Sequence, residues 1–207
     1  MARDLAPKYK RSRREGVELH PDLDRAGTAK SPLTRRRYFP GVHGPKGGWN
    51  KQSSYGIQLR EKQKAKRIYG ILERQFSNYY AKAIRKEGDT GEVMLSMLEK
   101  RLDNVVYRLG LAKTRPAARQ LVGHGHIQVN GKKLTIPSAQ VEVGDEVVLK
   151  AKTAVKPIFA EKLKANDKAN AAWLTRAGSK GKMVAEPELT DAKQSVDTRL
   201  IIEFYSR

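Results

Sequence analysis

The chain contains no cysteine. Disulfides, thiolate metal sites and cysteine nucleophiles are therefore excluded, and most zinc geometries go with them. That absence fits a reducing compartment. Aromatic residues make up only 7% of the 207 positions and hydrophobic residues 39%, so a modest core under a large polar surface is expected. No apolar run approaches the roughly 20 residues of a membrane-spanning helix. The start, MARDLAPKYKRSRREG, has positive charge without an apolar stretch behind it, and reads as neither a signal peptide nor a membrane anchor. Acidic residues are also short: 22 Asp and Glu face 42 Lys and Arg, for a net charge of +20. A chain so one-sided in charge repels itself unless a polyanion compensates, and binding releases that polyanion's condensed counterions. Nucleic acid is the partner class this implies.

Residues 1–51 hold thirteen Lys or Arg against five Asp or Glu and have little apolar periodicity. They read as a basic extension that orders only against a partner or the rest of the chain. Within them Arg35, Arg36 and Arg37 run straight into Tyr38 and Phe39, which suits phosphate clamping. From about 53 to 87, Ile57, Ile68, Ile71, Leu72, Phe76, Tyr79, Ala83 and Ile84 recur mostly at helical spacing, with a break expected near Gly70. A second helix is expected from Thr90 through Leu109, on the stripe Met94, Leu98, Leu102, Val105, Val106 and Leu109. Thr114 then caps a short helix with Pro116 in its first turn, and Arg115 and Arg119, four apart, share one face.

After Gly123 the period changes to two. His124, His126, Gln128 and Asn130 form one side of an expected strand, and Asn130 and Gly131 are preferred type I′ hairpin residues leading into Lys132 and Lys133. VEVGDEVVLK, residues 141–150, reads as a further strand pair around Gly144 and Asp145. Residues 151 to about 170 read as helical, Trp173 and Leu174 as an anchor onto the sheet, and the ending RLIIEFYSR as a final strand.

The string HGH, holding His124 and His126, is the natural place to look for a metal or a catalytic pair. No Asp or Glu lies between Leu111 and Gln140, and the neighbours are Arg115, Arg119, Lys132 and Lys133, which repel a divalent cation. No metal or other cofactor is expected. Asp103 is the acid near this block, and there is no Walker loop, dinucleotide fingerprint or GxSxG, so the chain does not read as an enzyme. What the segment offers is a surface of guanidinium, imidazole, amide and ammonium donors that suits phosphate and 2′-OH groups.

The stretch RLDNVVYRLGLAKTRPAARQLVGHGHIQVNGKKL resembles the RNA-binding motif named after ribosomal protein S-four. That motif also occurs as an appendage of RNA-modifying enzymes, which is the alternative reading. SRREG at 12–16, PGVHG at 40–44, YGIQLREKQKAKRIYGILERQF at 55–76, TGE at 90–92 and the ending IIEFYSR resemble the bacterial-type S-four family itself, in one order over nearly the full length.

The resemblance implies an α+β protein: a helical domain over 52–98 completed by about 175–207, and a small RNA-binding domain of short helices and an antiparallel sheet over 99–160. It implies a cytoplasmic, non-catalytic ribosomal protein that binds small-subunit ribosomal RNA directly, nucleates assembly of the subunit body and contributes to translational accuracy. Neighbouring ribosomal proteins, notably S-five, and messenger RNA near its entrance are the further partners implied; no membrane is. On matching positions Arg60, Lys62, Lys64, Lys66, Arg67, Arg74, Asn78 and Tyr79 would face RNA in the first domain. Arg101, Arg115, Arg119, Gln120, His124, His126, Asn130, Lys132 and Lys133 would do so in the second, and Arg13, Arg14, Arg35, Arg36 and Arg37 in the extension. Some members bind zinc through four cysteines; the corresponding positions here are Tyr9, Ser12, Ala26 and Ser31, which supply no thiolate. The loop KGGWNK, residues 46–51, also departs from the arginine-rich form that other members show near the messenger entrance.

Overall fold

The computed structural model describes residues 6–21, 23, 25–45, 52–155, 171–190, 192 and 196–207. The chain divides into two units, Met1–Gly91 with Ala192–Arg207, and Glu92–Asp191. The KGGWNK loop and the helix expected beyond residue 155 lie outside the described residues.

The first unit is helical. Its elements are α1 (Lys8–Glu15), α2 (Pro32–Arg35), α3 (Ser54–Tyr69) and α4 (Glu73–Ile84), and α5 (Thr90–Glu99) begins in it. Ser53 caps α3 by accepting from the Gly56 amide at 3.1 Å, and the expected break at Gly70 separates α3 from α4. The basic extension, expected to order only against a partner or the rest of the chain, contains α1 and α2, and Glu15 of α1 pairs with Arg60 and Arg67 of α3. It also holds a polar clamp that hydrophobic periodicity cannot show. Arg13 donates to the carbonyls of Arg36 at 3.2 Å and Tyr38 at 3.0 Å, and its guanidinium lies 4.9 Å from the Tyr38 ring centroid.

The chain's end is a helix, α9 (Thr198–Tyr205), not the expected strand (α6–α8 belong to the second unit). Asp197 caps it by accepting from the Arg199 amide at 2.9 Å. Ile201, Phe204 and Tyr205 then fall at helical spacing, a period hidden by the apolar run at 200–202. This helix packs along α3.

The second unit contains α6 (Leu102–Arg108), α7 (Arg115–Gly123), β1 (Ile127–Val129), β2 (Lys132–Lys133), β3 (Glu146–Leu149), α8 (Ala151–Ala154), β4 (Leu174–Ala177) and β5 (Lys180–Met183). The strands form one antiparallel sheet in the order β2-β1-β3-β5-β4. Leu102, Val105, Val106 and Leu109 of the α6 stripe meet Ala118, Leu121 and Val122 of α7 over Ile127, Val147, Leu149, Leu174 and Met183 of the sheet. Trp173 lies in that core, as the anchor reading expected.

Three expectations are corrected here. The single helix from Thr90 to Leu109 is broken between α5 and α6, because Arg101 turns to extended backbone (φ −62°, ψ 136°) and its neighbours bond to a distant loop. The amides of Leu102 and Asp103 donate to the carbonyls of Ala139 and Pro137, and the Val141 amide donates to Lys100. Only 146–149 of VEVGDEVVLK is strand; Asp145 closes the preceding turn by accepting from the Glu142 amide at 2.9 Å. The β4–β5 hairpin belongs to this unit, although residues from about 175 onward were assigned to the helical domain. Its backbone continues the sheet through β3, with Val147 opposite Gly181.

Candidate nucleic-acid interface

In the second unit the arginine-bearing helix forms as its signals imply. Thr114 accepts from the Ala117 amide, and Arg115 and Arg119 sit one turn apart on α7. Arg115 donates to Asn104 Oδ1 at 2.8 Å and lies 4.5 Å from the Tyr107 ring centroid. Arg119 donates to Asp103 Oδ2 at 3.2 Å. Gln120, His124, Asn130, Lys132 and Lys133 are exposed.

Neither histidine of HGH lies in a strand, contrary to the alternating reading. The segment closes α7 instead: the Gly125 amide donates to Val122 at 2.8 Å and the His126 amide to Leu121 at 3.0 Å, the paired bonds of a Schellman cap. Gly125 takes φ +70°, and a Cβ there would stand 2.3 Å from Lys133 Cε. The glycine thus lets the hairpin lysine lie across the turn that carries both imidazoles, whose centroids are 6.2 Å apart. His124 is exposed, while the half-buried His126 places Nδ1 3.0 Å from Thr153 Oγ1. Gly125→Ala is expected to lower the unfolding free energy by about 1–2 kcal/mol, the cost of a left-handed backbone for an L residue, read as a shifted urea midpoint.

The hairpin turn is as expected. Asn130 and Gly131 take φ 49° and 76°, and Asn130 joins β3 by donating to Asp145 Oδ1 at 2.7 Å and accepting from the Glu146 amide at 2.9 Å.

Arg101 is placed differently from its expected role. It is 0% exposed, and its guanidinium donates through Nε and Nη2 to both oxygens of Asp103, at 3.0 and 2.7 Å. Its side chain is inside the unit, not on the surface assigned to it.

In the first unit the cations expected to face RNA split into two groups. Arg60 and Arg67 pair with Glu15, Lys64 with Glu61, and Lys62 and Lys66 with the two oxygens of Glu73 at 2.8 and 3.0 Å. Lys62 is buried, with Nζ 4.0 Å from the Phe204 ring centroid, so it fastens α9 to α3 and does not present a surface charge. Tyr79 is buried as well. Arg74 and Asn78 are exposed one turn apart on α4, and Lys82, one turn further on the same face, is exposed too, with Arg85 just past the helix end. The sequence reading missed Lys82 and Arg85, although the spacing of four from Asn78 to Lys82 was available to find the first. In the extension, Arg14, Arg35, Arg36 and Arg37 are exposed, and a cavity is lined by Arg13, Arg36, Arg37, Thr34, Leu33 and Gly16.

Glu73 is the acid on which α3 and α9 converge, since Tyr205 also donates to it at 2.8 Å. Burial raises its pKa, but hydrogen bonds from Lys62, Tyr205 and Lys66 outweigh burial and take it from the ordinary 4.5 down to about 2. Burial and Glu73 raise Tyr205, which stays a donor. Glu73 is more acidic folded than unfolded, so its contribution is present above pH 4.5 and is lost as pH falls from 4.5 to about 2. Thermal melts over that window are expected to show this loss, and Glu73→Gln to remove its share. Glu15 runs the other way, because burial raises it against the pull of Arg67, Arg60 and Arg14.

Tyr9, Ser12, Ala26 and Ser31, which the resemblance sets against zinc-binding cysteines, do not fit a metal, and Ala26 has no side-chain donor at all. Tyr9 Oη accepts from the Arg25 amide, Ser12 Oγ from the Leu19 amide and Ser31 Oγ from the Leu33 amide, at 3.3 Å each. Among the described residues no group of three His, Asp or Glu side chains could hold an ion. RNA binding is expected to be unchanged by a chelator once magnesium is restored.

Comparison with known proteins agrees along the whole chain. Residues 3–99 match the family described as ribosomal protein S4/S9 N-terminal domain, and residues 100–147 match the S4 domain. The chain is 50% identical over 210 residues to the small ribosomal subunit protein uS4 of Desulforamulus reducens and 47% identical to that of Heliobacterium modesticaldum. Both alignments cover 100% of each chain. It is 50% identical over 212 residues to uS4A of Clostridium botulinum, again with full coverage of both.

Proposed function

Because the chain belongs to the uS4 family of small ribosomal subunit proteins, we propose that it is a structural constituent of that subunit which binds its ribosomal RNA directly. The observation that carries this reading is the full-length identity to proteins of that name, since an RNA-modifying enzyme with the motif as an appendage would not share the helical unit as well. The protein then works in the cytoplasm, within the ribosome. Early binding, nucleation of the subunit body and an influence on accuracy belong to the same reading, with S-five and entering messenger RNA as further partners.

The surfaces that support RNA contact are basic, with Arg115 and Arg119 half-buried and the other side chains exposed. In the second unit they are α7 with Arg115, Arg119 and Gln120, the cap with His124, and the hairpin with Lys132 and Lys133. In the first they are Arg74, Asn78, Lys82 and Arg85 of α4 and the exposed arginines of the extension. Guanidinium groups suit bidentate phosphate contact, and amides and imidazoles suit sugar or base edges.

Expressed with a tag in a bacterial cell, the protein is expected to sediment with small subunits and to remain there through a high-salt wash. Its recovery at the top of the gradient, or equally with large subunits, would overturn the reading.

A further inference from the structure

Two polar chains run behind the arginines of α7. In one, Arg119 donates to Asp103, which also holds the buried Arg101 through both of its oxygens. In the other, Arg115 donates to Asn104 Oδ1, and Asn104 Nδ2 donates to Glu99 Oε2 at 2.7 Å and to the Glu99 carbonyl at 3.0 Å. Glu99 in turn takes both Nε and Nη2 of Arg108, at 3.1 and 3.2 Å. Asp103 and Asn104 are nine-tenths or more buried in the first turn of α6. They are consecutive residues, and each reaches one of two arginines that α7 sets one turn apart.

A carboxylate beside a phosphate-binding guanidinium is a disadvantage on charge alone, because it lowers the local positive potential. What it supplies is orientation. An arginine side chain has much rotamer freedom, and binding must fix it; a side chain already fixed loses less on contact. Asp103 lies deeper than Arg119, with 7% of its side chain exposed against 12%, so it can hold the guanidinium from behind.

Resting on the ribosomal-RNA reading above, we propose that Asp103 and Asn104 are positioning residues, which aim Arg119 and Arg115 at RNA backbone phosphates. Neither touches RNA itself.

The two accounts of Asp103 differ in sign. If it matters to RNA only as a charge, Asp103→Asn tightens binding; if it positions Arg119, Asp103→Asn weakens it. A double-mutant cycle separates positioning from a general loss of structure. Affinity of the full chain for a small-subunit ribosomal RNA fragment is measured for Asp103→Asn, Arg119→Ala and both together. We expect Asp103→Asn to weaken binding about tenfold in the native background and less than about twofold in the Arg119→Ala background. Asn104→Ala with Arg115→Ala forms a parallel cycle that strands no charge, since Glu99 keeps Arg108, and it decides alone if Asp103→Asn does not fold. The same coupling is expected there. Equal losses in both backgrounds, or unchanged or tighter binding by Asp103→Asn, would overturn the proposal while leaving the ribosomal reading intact. No preference of the unsubstituted chain for small-subunit RNA would overturn that reading, and this proposal with it.

Discussion

Raising monovalent salt from roughly 50 to 200 mM is expected to weaken binding to small-subunit ribosomal RNA by about a thousandfold or more. The expectation follows from a net charge of +20 and from basic surfaces on both units. Each phosphate neutralised releases condensed counterions, so the logarithm of affinity falls with the logarithm of salt by about 0.7 to 0.9 per contact, and six or more contacts give a loss of this size. Arg115→Ala and Arg119→Ala are each expected to flatten the slope by about one contact. A slope near zero, or one insensitive to both substitutions, would contradict contact through the α7 face.

Arg101→Ala is expected to cost about 3–5 kcal/mol of stability, because it removes the doubly bonded partner of a buried carboxylate and leaves Asp103 with less compensation in a low-dielectric interior. It also empties the volume of a side chain that is 0% exposed at the junction of α5 and α6. Urea unfolding measures the loss. At temperatures where the variant stays folded, the salt slope is expected to change little. If Arg101 were instead a surface RNA contact, the pattern would invert: a small stability loss, below about 1 kcal/mol, and a slope flatter by about one.

The contrast between Arg101 and Arg115 shows how far the sequence was legible. Arg115 follows a threonine cap and precedes a proline in a short helix, local signals that put it and Arg119 on one face, and the structure has them there. The Asn130 and Gly131 turn was legible for the same reason, since two positive φ values need those residue types. Arg101 sits in a segment that reads as unbroken helix. Its inward turn depends on backbone bonds to residues 137–141, more than thirty positions later in the chain, and no local period carries that information.

HGH misleads for a related reason. Alternation of His, Gly, His and Ile mimics a strand, but the left-handed Gly125 makes the segment a helix cap, and a glycine's φ is fixed by its surroundings. In the first unit, Lys62 looked like one more basic residue among LREKQKAKR. Its burial follows from Glu73 and from Phe204, 142 positions away, which meet it only once α9 lies along α3. The S-four resemblance supplies the family but not these internal pairings, which follow from which cations the packed elements bring against an acid. Lys62 meets Glu73, which is half-exposed, and Arg101 meets the buried Asp103, whereas Arg74 and Lys132 remain on the surface.

Selective binding to the ribosomal RNA of the small subunit separates this function from general affinity for polyanions. It is tested most directly by equilibrium binding of the purified full chain to a small-subunit ribosomal RNA fragment and to large-subunit RNA of equal length, at one near-physiological salt concentration. A preference of at least about a hundredfold for the small-subunit fragment is expected, beyond the shared phosphate attraction. Equal affinity for the two RNAs would contradict it.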